Sequence, residues 1–162
     1  MSSGWVAGGE AAIPSVVDVL PRPDGGASGS RIVLVPVGAR DRRAVLAAHY
    51  AALIPAAERR AVHVAVDPRA GEELYLEWIY DPPAALPLDI VPDTGGIACS
   101  VVSMVNECRE TGASDVVVLV GQLTMRALRR RLLHDSTAIA ISAAVQELPG
   151  TTAVLLAVGR RA

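Results

Sequence analysis

A basic segment with phosphate-binding chemistry lies between Gly121 and Thr137. A glycine at a strand exit lets a ligand approach the backbone closely, and the polar residues before Ala138 leave backbone N–H groups free at a helix start, where phosphate is favoured. Four arginines in this segment add guanidinium groups that hold phosphate through paired hydrogen bonds. The segment therefore predicts a phosphate-binding loop from Gly121 to Thr137, with Arg126, Arg129 and Arg130 near one face of a helical turn beside it.

The same segment admits two plainer interpretations. Its arginines can form a solvated helix face, and His134 can lie at a helix end without a ligand. Catalysis by His134 would need a nucleophile and an orienting acid in space, and its sequence neighbours Asp135 and Ser136 rarely form such a triad. The three histidines also lack the spacing of metal ligands. We therefore expect binding without catalysis, no metal and no cofactor.

Two further segments belong to the same predicted site. In an open parallel sheet, ligands bind beyond the carboxyl ends of the strands. The first predicted strand leads into Pro36, Val37 and Gly38, and the second ends at Val66. We expect these residues to form part of the same ligand site.

Five apolar runs alternate with helical segments after residue 30. Such runs predict strands buried on both faces, and their alternation with helices predicts right-handed crossovers and a parallel sheet. The fold class is therefore α/β, a three-layer doubly wound sandwich with a five-stranded parallel sheet, and Asp41 is expected to cap its first helix. Predicted strands span residues 31–37, 61–66, 88–91, 115–120 and 151–158, and predicted helices span 41–57, 72–80, 97–111, 125–133 and 138–147.

Length and composition limit the class of protein. The chain has 162 residues, of which 51% are apolar and 20% are charged, as expected for one folded domain. Residues 1–30 are rich in glycine and end in a linker-like stretch, so we predict a flexible N-terminal segment or linker, 1–30, and one domain, 31–162. All fifteen basic residues are arginine, which excludes enzymes that need a lysine for Schiff-base or phosphoryl-transfer chemistry.

Charge and hydropathy set an expectation for location and partners. The net charge of −2 gives no electrostatic footprint for nucleic acid or an anionic membrane. The sequence has no apolar run of membrane-spanning length and no secretory leader pattern at its start. We therefore expect a cytoplasmic location, no nucleic-acid partner and no direct membrane insertion.

The domain resembles the universal stress protein family, whose fold is that of the adenine nucleotide alpha hydrolases. The resemblance rests on the run RIVLVPV at 31–37, the helix after it, VHV at 62–64 and the order of the elements. Nucleotide-binding members carry G-x2-G-x9-G-[S/T] after the fourth strand, a loop that cradles the phosphates of ATP. Here Gly121 keeps the first glycine, while Thr124, His134 and Asp135 occupy the other motif positions. The resemblance implies an adenine nucleotide as ligand.

A closer resemblance is to the cytosolic C-terminal domains of APC-superfamily amino-acid and potassium permeases. It rests on residues 61–68, 129–138 and 149–154, above all on LLHDSTA at 132–138, which is similar to a Leu-Leu-His-Asn-Gln-[Ser/Thr]-Ala run of those domains. In the potassium-importing branch such domains dimerise and bind cyclic di-AMP, which inhibits transport. The resemblance therefore implies cyclic di-AMP as ligand, with Arg130, Arg131, His134 and Ser136 as the residues that hold it.

These observations predict a non-enzymatic, cytosolic regulatory domain that binds an adenine nucleotide and controls an APC-type permease. Its predicted partners are the membrane domain of a permease and a second copy, paired through the last strand, Thr151 to Val158, whose apolar edge would otherwise be exposed. Three alternatives stay open. The chain is a ligand-free dimerisation or docking domain, favoured by the missing glycines and Asp135, or an ATP-binding stress protein, or a hydrolase that acts on a nucleotide through His134.

Overall fold

A computed structural model of the protein describes residues 30–124 and 136–159. The predicted N-terminal segment up to residue 29 and the predicted helix 125–133 lie outside the described residues. The candidate ligands Arg130, Arg131 and His134 also lie outside them, so their assignment stays a prediction.

Five parallel strands form one sheet, which confirms the predicted three-layer α/β sandwich. Along the sheet their order is β3-β2-β1-β4-β5. Successive strands are added towards one edge from β1 to β3 and towards the other edge from β4 to β5, so the direction of addition reverses between β1 and β4. That reversal is the switch point at which open α/β sheets bind ligands. The strands are β1 Ser30–Pro36, β2 Glu58–Ala65, β3 Leu88–Pro92, β4 Ala113–Thr124 and β5 Thr151–Gly159.

Four described helices cover the two faces of the sheet. Helices α1 and α2 pack one core with Trp78 at its centre, and helices α3 and α4 pack the other around Val105. Neighbouring residues of β4 serve opposite cores, since Val117 belongs to the first and Val118 to the second, and both are fully buried. The helices are α1 Arg42–Leu53, α2 Pro68–Tyr80, α3 Ile97–Glu110 and α4 Ser136–Gln146, with a short 3-10 turn at Pro83–Ala85.

Helix starts follow from local side-chain capping. The predicted role of Asp41 is confirmed, because its Oδ1 accepts hydrogen bonds from the backbone N–H groups of Arg43 (2.9 Å) and Ala44 (3.0 Å). Helix α2 begins at Pro68, four residues before the predicted start at 72. Proline is tolerated in the first turn of a helix, and Asp67 caps it by accepting from the N–H of Arg69 at 3.0 Å.

Two predicted element ends were also wrong, each by four residues. Helix α1 ends at Leu53 rather than at 57, since Ile54 already has an extended backbone ahead of Pro55. Strand β4 does not end at 120 but continues to Thr124, because it keeps pairing with β5 as far as Gly159. The pairing of β4 with β1 stops at Val118, so the last six residues of β4 are held by β5 on one side.

None of the helices in the described parts of the chain has both the length and the apolar character needed to cross a bilayer.

Candidate functional site

A cavity of about 270 Å³ opens at the carboxyl ends of β1 and β4, at the switch point of the sheet. Its walls come from the β1–α1 loop, the ends of β2 and β4, and the first turns of α3 and α4. The residues that line it are Pro36, Val37, Gly38, Ala39, Asp41, Arg43, Ala44, Val62, His63, Val64, Ile97, Val120, Gly121, Thr137, Ala138 and Ile141.

Five predicted ligand residues line this cavity: Pro36, Val37, Gly38, Gly121 and Thr137. Ser136 lies in a neighbouring groove of about 300 Å³, which shares Ile97 and Thr137 with the cavity. Val66 does not line the cavity. It follows β2 with 60% of its surface exposed, and its backbone N–H donates to the carbonyl of Val64 at 2.9 Å. The structure therefore brings together the ends of β1 and β4, but it leaves Val66 outside.

Gly121 has a packing role that the sequence analysis did not foresee. It lies within β4 opposite Leu156, not in a loop, and a Cβ built on it would stand 2.9 Å from both the Cβ and the carbonyl oxygen of Arg43. Such a distance is shorter than ordinary side-chain packing allows. The missing side chain of Gly121 therefore makes room for the start of α1, rather than leaving space for a phosphate.

Asp41 and Arg43 form an ion pair at the rim of the cavity. The Arg43 Nε donates to Asp41 Oδ2 at 2.7 Å, and the Nη2 lies 2.6 Å from the same oxygen. Burial alone would raise the pKa of Asp41, but the hydrogen bonds from Arg43 and from the N–H of Ala44 outweigh burial and lower that pKa. The carboxylate is therefore ionised at neutral pH and holds the guanidinium over the cavity.

His63 fixes the end of β1 from the neighbouring strand. The ring is 7% exposed, and its Nδ1 lies 2.9 Å from the carbonyl oxygen of Val37. Because a carbonyl only accepts, the proton of this hydrogen bond belongs to Nδ1. The N–H of Val37 in turn donates to the carbonyl of Val62 at 2.9 Å. Two hydrogen bonds therefore fix this end of β1. The N–H of Val37 donates within the sheet, so it does not bind a ligand.

The groove beside the cavity lies where the first turns of α3 and α4 meet. No side chain caps the first turn of α3, which begins after Gly96. Asp93 instead closes the preceding turn, its Oδ1 accepting from the N–H groups of Gly95 (3.1 Å) and Gly96 (2.7 Å). Residues from the first turns of two helices line this groove, and the partial positive charge at a helix N-terminus favours an anion.

Sequence reasoning did not assign eleven of the sixteen lining residues to the site, among them Asp41, Arg43, His63 and Ile97. Arg43 could have been predicted, because it lies in the first turn of α1, five residues after Gly38 and at the same end of the sheet. His63 could not be recognised from its position inside a strand, since only the fold shows which carbonyl its ring meets. Within the described segments no three side chains of ligand type gather into a metal site.

Residues 29–158 match a protein-family model described as the KimA potassium transporter C-terminal domain. Because the match spans most of the chain, the protein belongs to this family. The predicted relation to the C-terminal domains of permeases is thereby confirmed, whereas membership of the universal stress protein family is not part of the match. No curated protein matches the chain significantly.

Proposed function

We propose that this chain is a non-enzymatic regulatory domain, of the universal stress protein type, that binds an adenine nucleotide and controls a potassium transporter in response. The ligand we propose is cyclic di-AMP. The observation that carries this proposal is the cavity at the switch point, which shares Ile97 and Thr137 with the groove at the two helix N-termini. An apolar recess beside a positive groove is the arrangement that a nucleotide requires.

The cavity itself suits one base. At about 270 Å³ it lies just below the range of roughly 300–1,000 Å³ that drug-sized ligands occupy. Val62, Val120 and Ile141 give it aliphatic walls for the face of a purine. The sugar and phosphate would extend into the groove, towards Ser136 and Thr137, and Arg43 also lines the cavity.

The cations of the site favour binding over catalysis. A guanidinium such as that of Arg43 offers only donors, which suits holding phosphate oxygens through hydrogen bonds. Asp41 has its carboxylate engaged by Arg43 and by the backbone of α1, which leaves it a poor general base. The non-enzymatic assignment predicts that incubation with ATP or cyclic di-AMP releases no hydrolysis product.

A second candidate function is a docking or dimerisation domain without a ligand. The observation that favours it is Gly121, since α1 occupies the space next to this glycine. The ion pair between Asp41 and Arg43 favours it as well, because the carboxylate offsets the charge that a phosphate would need. Both candidate functions place the domain in a potassium transporter. They differ in whether the domain binds a nucleotide.

Calorimetric titration with cyclic di-AMP, and separately with ATP, tests the proposal. We expect saturable heat with cyclic di-AMP, weakened about tenfold by Arg43→Gln, since a charge-assisted hydrogen bond contributes roughly 1.5–3 kcal/mol. Arg69→Gln is the matched control, because Arg69 is 88% exposed on α2 and does not line the cavity. Heat with ATP alone would favour the stress-protein alternative, and no heat with either nucleotide would favour the ligand-free domain.

A further inference from the structure

Exposed apolar side chains concentrate on the outer side of α2 and on the neighbouring edge strand β3. Scattered exposed hydrophobic residues are common, but a contiguous apolar patch marks an interaction site. Six of the ten large hydrophobic side chains exposed in the described part of the chain lie here. We call them the α2–β3 surface: Val66, Tyr75, Leu76, Ile79, Tyr80 and Ile90.

Helix α2 has a second apolar face that the fold does not use. Leu74 and Trp78 point into the core and are 5% and 1% exposed. Leu76 and Ile79 lie on the other side of the helix and are 55% and 53% exposed. A surface helix of a single domain needs only one apolar stripe. The outer stripe is therefore available for a partner.

A groove of about 610 Å³ runs along this surface between α2 and β3. Tyr75 and Leu76 form its helix side, Ile90 forms its strand side, and Ala65 and Pro68 close one end. Its dimensions and apolar walls fit the side chains of an amphipathic helix laid into a groove.

The rim of the groove carries an acidic residue, Glu72. Glu73 and Glu77 are exposed farther round the same helix and add to its negative charge. The helix has one basic residue, Arg69, and its Nε lies 3.4 Å from a carboxylate oxygen of Glu73. An apolar floor with this rim complements a segment whose apolar face is flanked by arginine or lysine.

We propose that the α2–β3 surface docks onto a basic amphipathic segment at the cytoplasmic side of the transporter's membrane domain. This proposal rests on the proposed function, because only a domain that controls a transporter must contact it. Cytoplasmic segments of membrane proteins carry an excess of lysine and arginine, which is the charge that the rim selects. The same rim repels an anionic lipid surface, and a second copy would place one acidic rim against another.

Site-specific photocrosslinking in membranes that contain the transporter identifies the occupant. A benzophenone amino acid replaces Leu76 in one variant and Leu53 in the control, because Leu53 is 66% exposed at the end of α1. We expect the variant at position 76 to crosslink to a lysine- or arginine-rich cytoplasmic segment of the transporter, identified by mass spectrometry. A crosslink to lipid or to a second copy, or equal yields from both positions, would overturn the proposal.

Charge reversal tests the acidic rim. The double variant Glu72→Arg, Glu77→Arg should lower the crosslink yield about tenfold, because it reverses the charge that lines the groove and a second exposed charge on the same helix. The matched control reverses Glu107 and Glu110, which are exposed on α3. An unchanged yield with the α2 variant, in a protein that still folds by circular dichroism, would contradict the role of the rim.

The nucleotide titration separates this proposal from the proposed function. The α2 variant should bind cyclic di-AMP as the unchanged protein does, since neither Glu72 nor Glu77 lines the cavity. A chain that crosslinks to the transporter but gives no heat with a nucleotide would refute the nucleotide and leave the docking surface standing. A chain that gives heat with a nucleotide but no selective crosslink would refute the docking surface and leave nucleotide binding standing.

Discussion

The two edges of the sheet differ in how they are protected. Edge strand β3 is short, with five residues, contains Asp89 and ends in Pro92, and these are the devices by which proteins prevent an edge from pairing. Edge strand β5 has nine residues, with no charge and no proline among them, and its Leu155 is 40% exposed. Among the described residues no strand pairs with the outer edge of β5, which lacks these protective devices.

This difference agrees with the two kinds of partner that we predict and propose. An unprotected, uncharged edge is complementary to itself, which suits a symmetric pair of copies joined strand to strand. A protected edge beside an apolar groove with an acidic rim suits a helical segment of opposite charge. The cavity that we propose for a nucleotide lies between the two edges, at the ends of β1 and β4.

The largest expected effect separates the two faces of α2. Trp78→Ala should cost about 3–5 kcal/mol of unfolding free energy, because it empties a buried site and removes the hydrogen bond from Nε1 to the carbonyl of Leu86 at 2.7 Å. Leu76→Ala should change stability by no more than about 0.5 kcal/mol. Urea unfolding measures both. Equal losses would show that the outer face of α2 belongs to the core.

The next test compares the two edges directly, with Leu155→Arg and Ile90→Arg. Both residues are 40% exposed. In a pair joined through β5, Leu155→Arg brings two arginines together and should raise the dissociation constant of the dimer about a hundredfold, since like charges across an interface cost several kcal/mol. Analytical ultracentrifugation should find the Ile90→Arg variant unchanged. A dimer lost only with Ile90→Arg would place the contact at the other edge.

A smaller effect is expected from the glycines around the cavity. Gly121→Ala places a methyl group 2.9 Å from Arg43 and should cost about 1–3 kcal/mol, because α1 must shift. Gly38→Ala is the control, since a Cβ at that position meets no atom within 4 Å. Thermal unfolding of the two variants compares them. Similar melting temperatures would contradict the close packing of α1 on β4.

The smallest expected effect concerns pH. The pKa of Asp41 is lower in the folded protein than its ordinary value of 3.8, so its contribution to stability is present above that value and is lost as the pH falls towards the lowered pKa. Asp41→Asn keeps a capping side chain but removes this dependence, and Asp41→Ala should cost about 1 kcal/mol at neutral pH. Urea unfolding at acidic and neutral pH measures the difference. A steeper acid dependence in Asp41→Asn would contradict the assignment.

The sequence was sufficient for the fold because its signals are local. The valine run of β4 has to be buried on both faces, and the alternation of strands with helices admits few topologies. The predicted end of β4 was wrong because the last residues of this strand are held by pairing with β5, which is distant in sequence. The same limit applied to the site. Val37 and Thr137 were found by the rule for strand ends and helix starts, whereas Arg43 and His63 depend on contacts that only the folded chain brings together.

Hydrogen–deuterium exchange, measured on the chain with and without cyclic di-AMP, tests the central claim most directly. Binding in the cavity should slow exchange in residues 36–44 and in the first turn of α3, where the ligand would cover backbone N–H groups, while β3 stays unchanged. Protection confined to β5 would indicate pairing of copies without a ligand in the cavity. Exchange that does not change at 36–44 when nucleotide is saturating would contradict the claim that this domain reads a nucleotide at the switch point of its sheet.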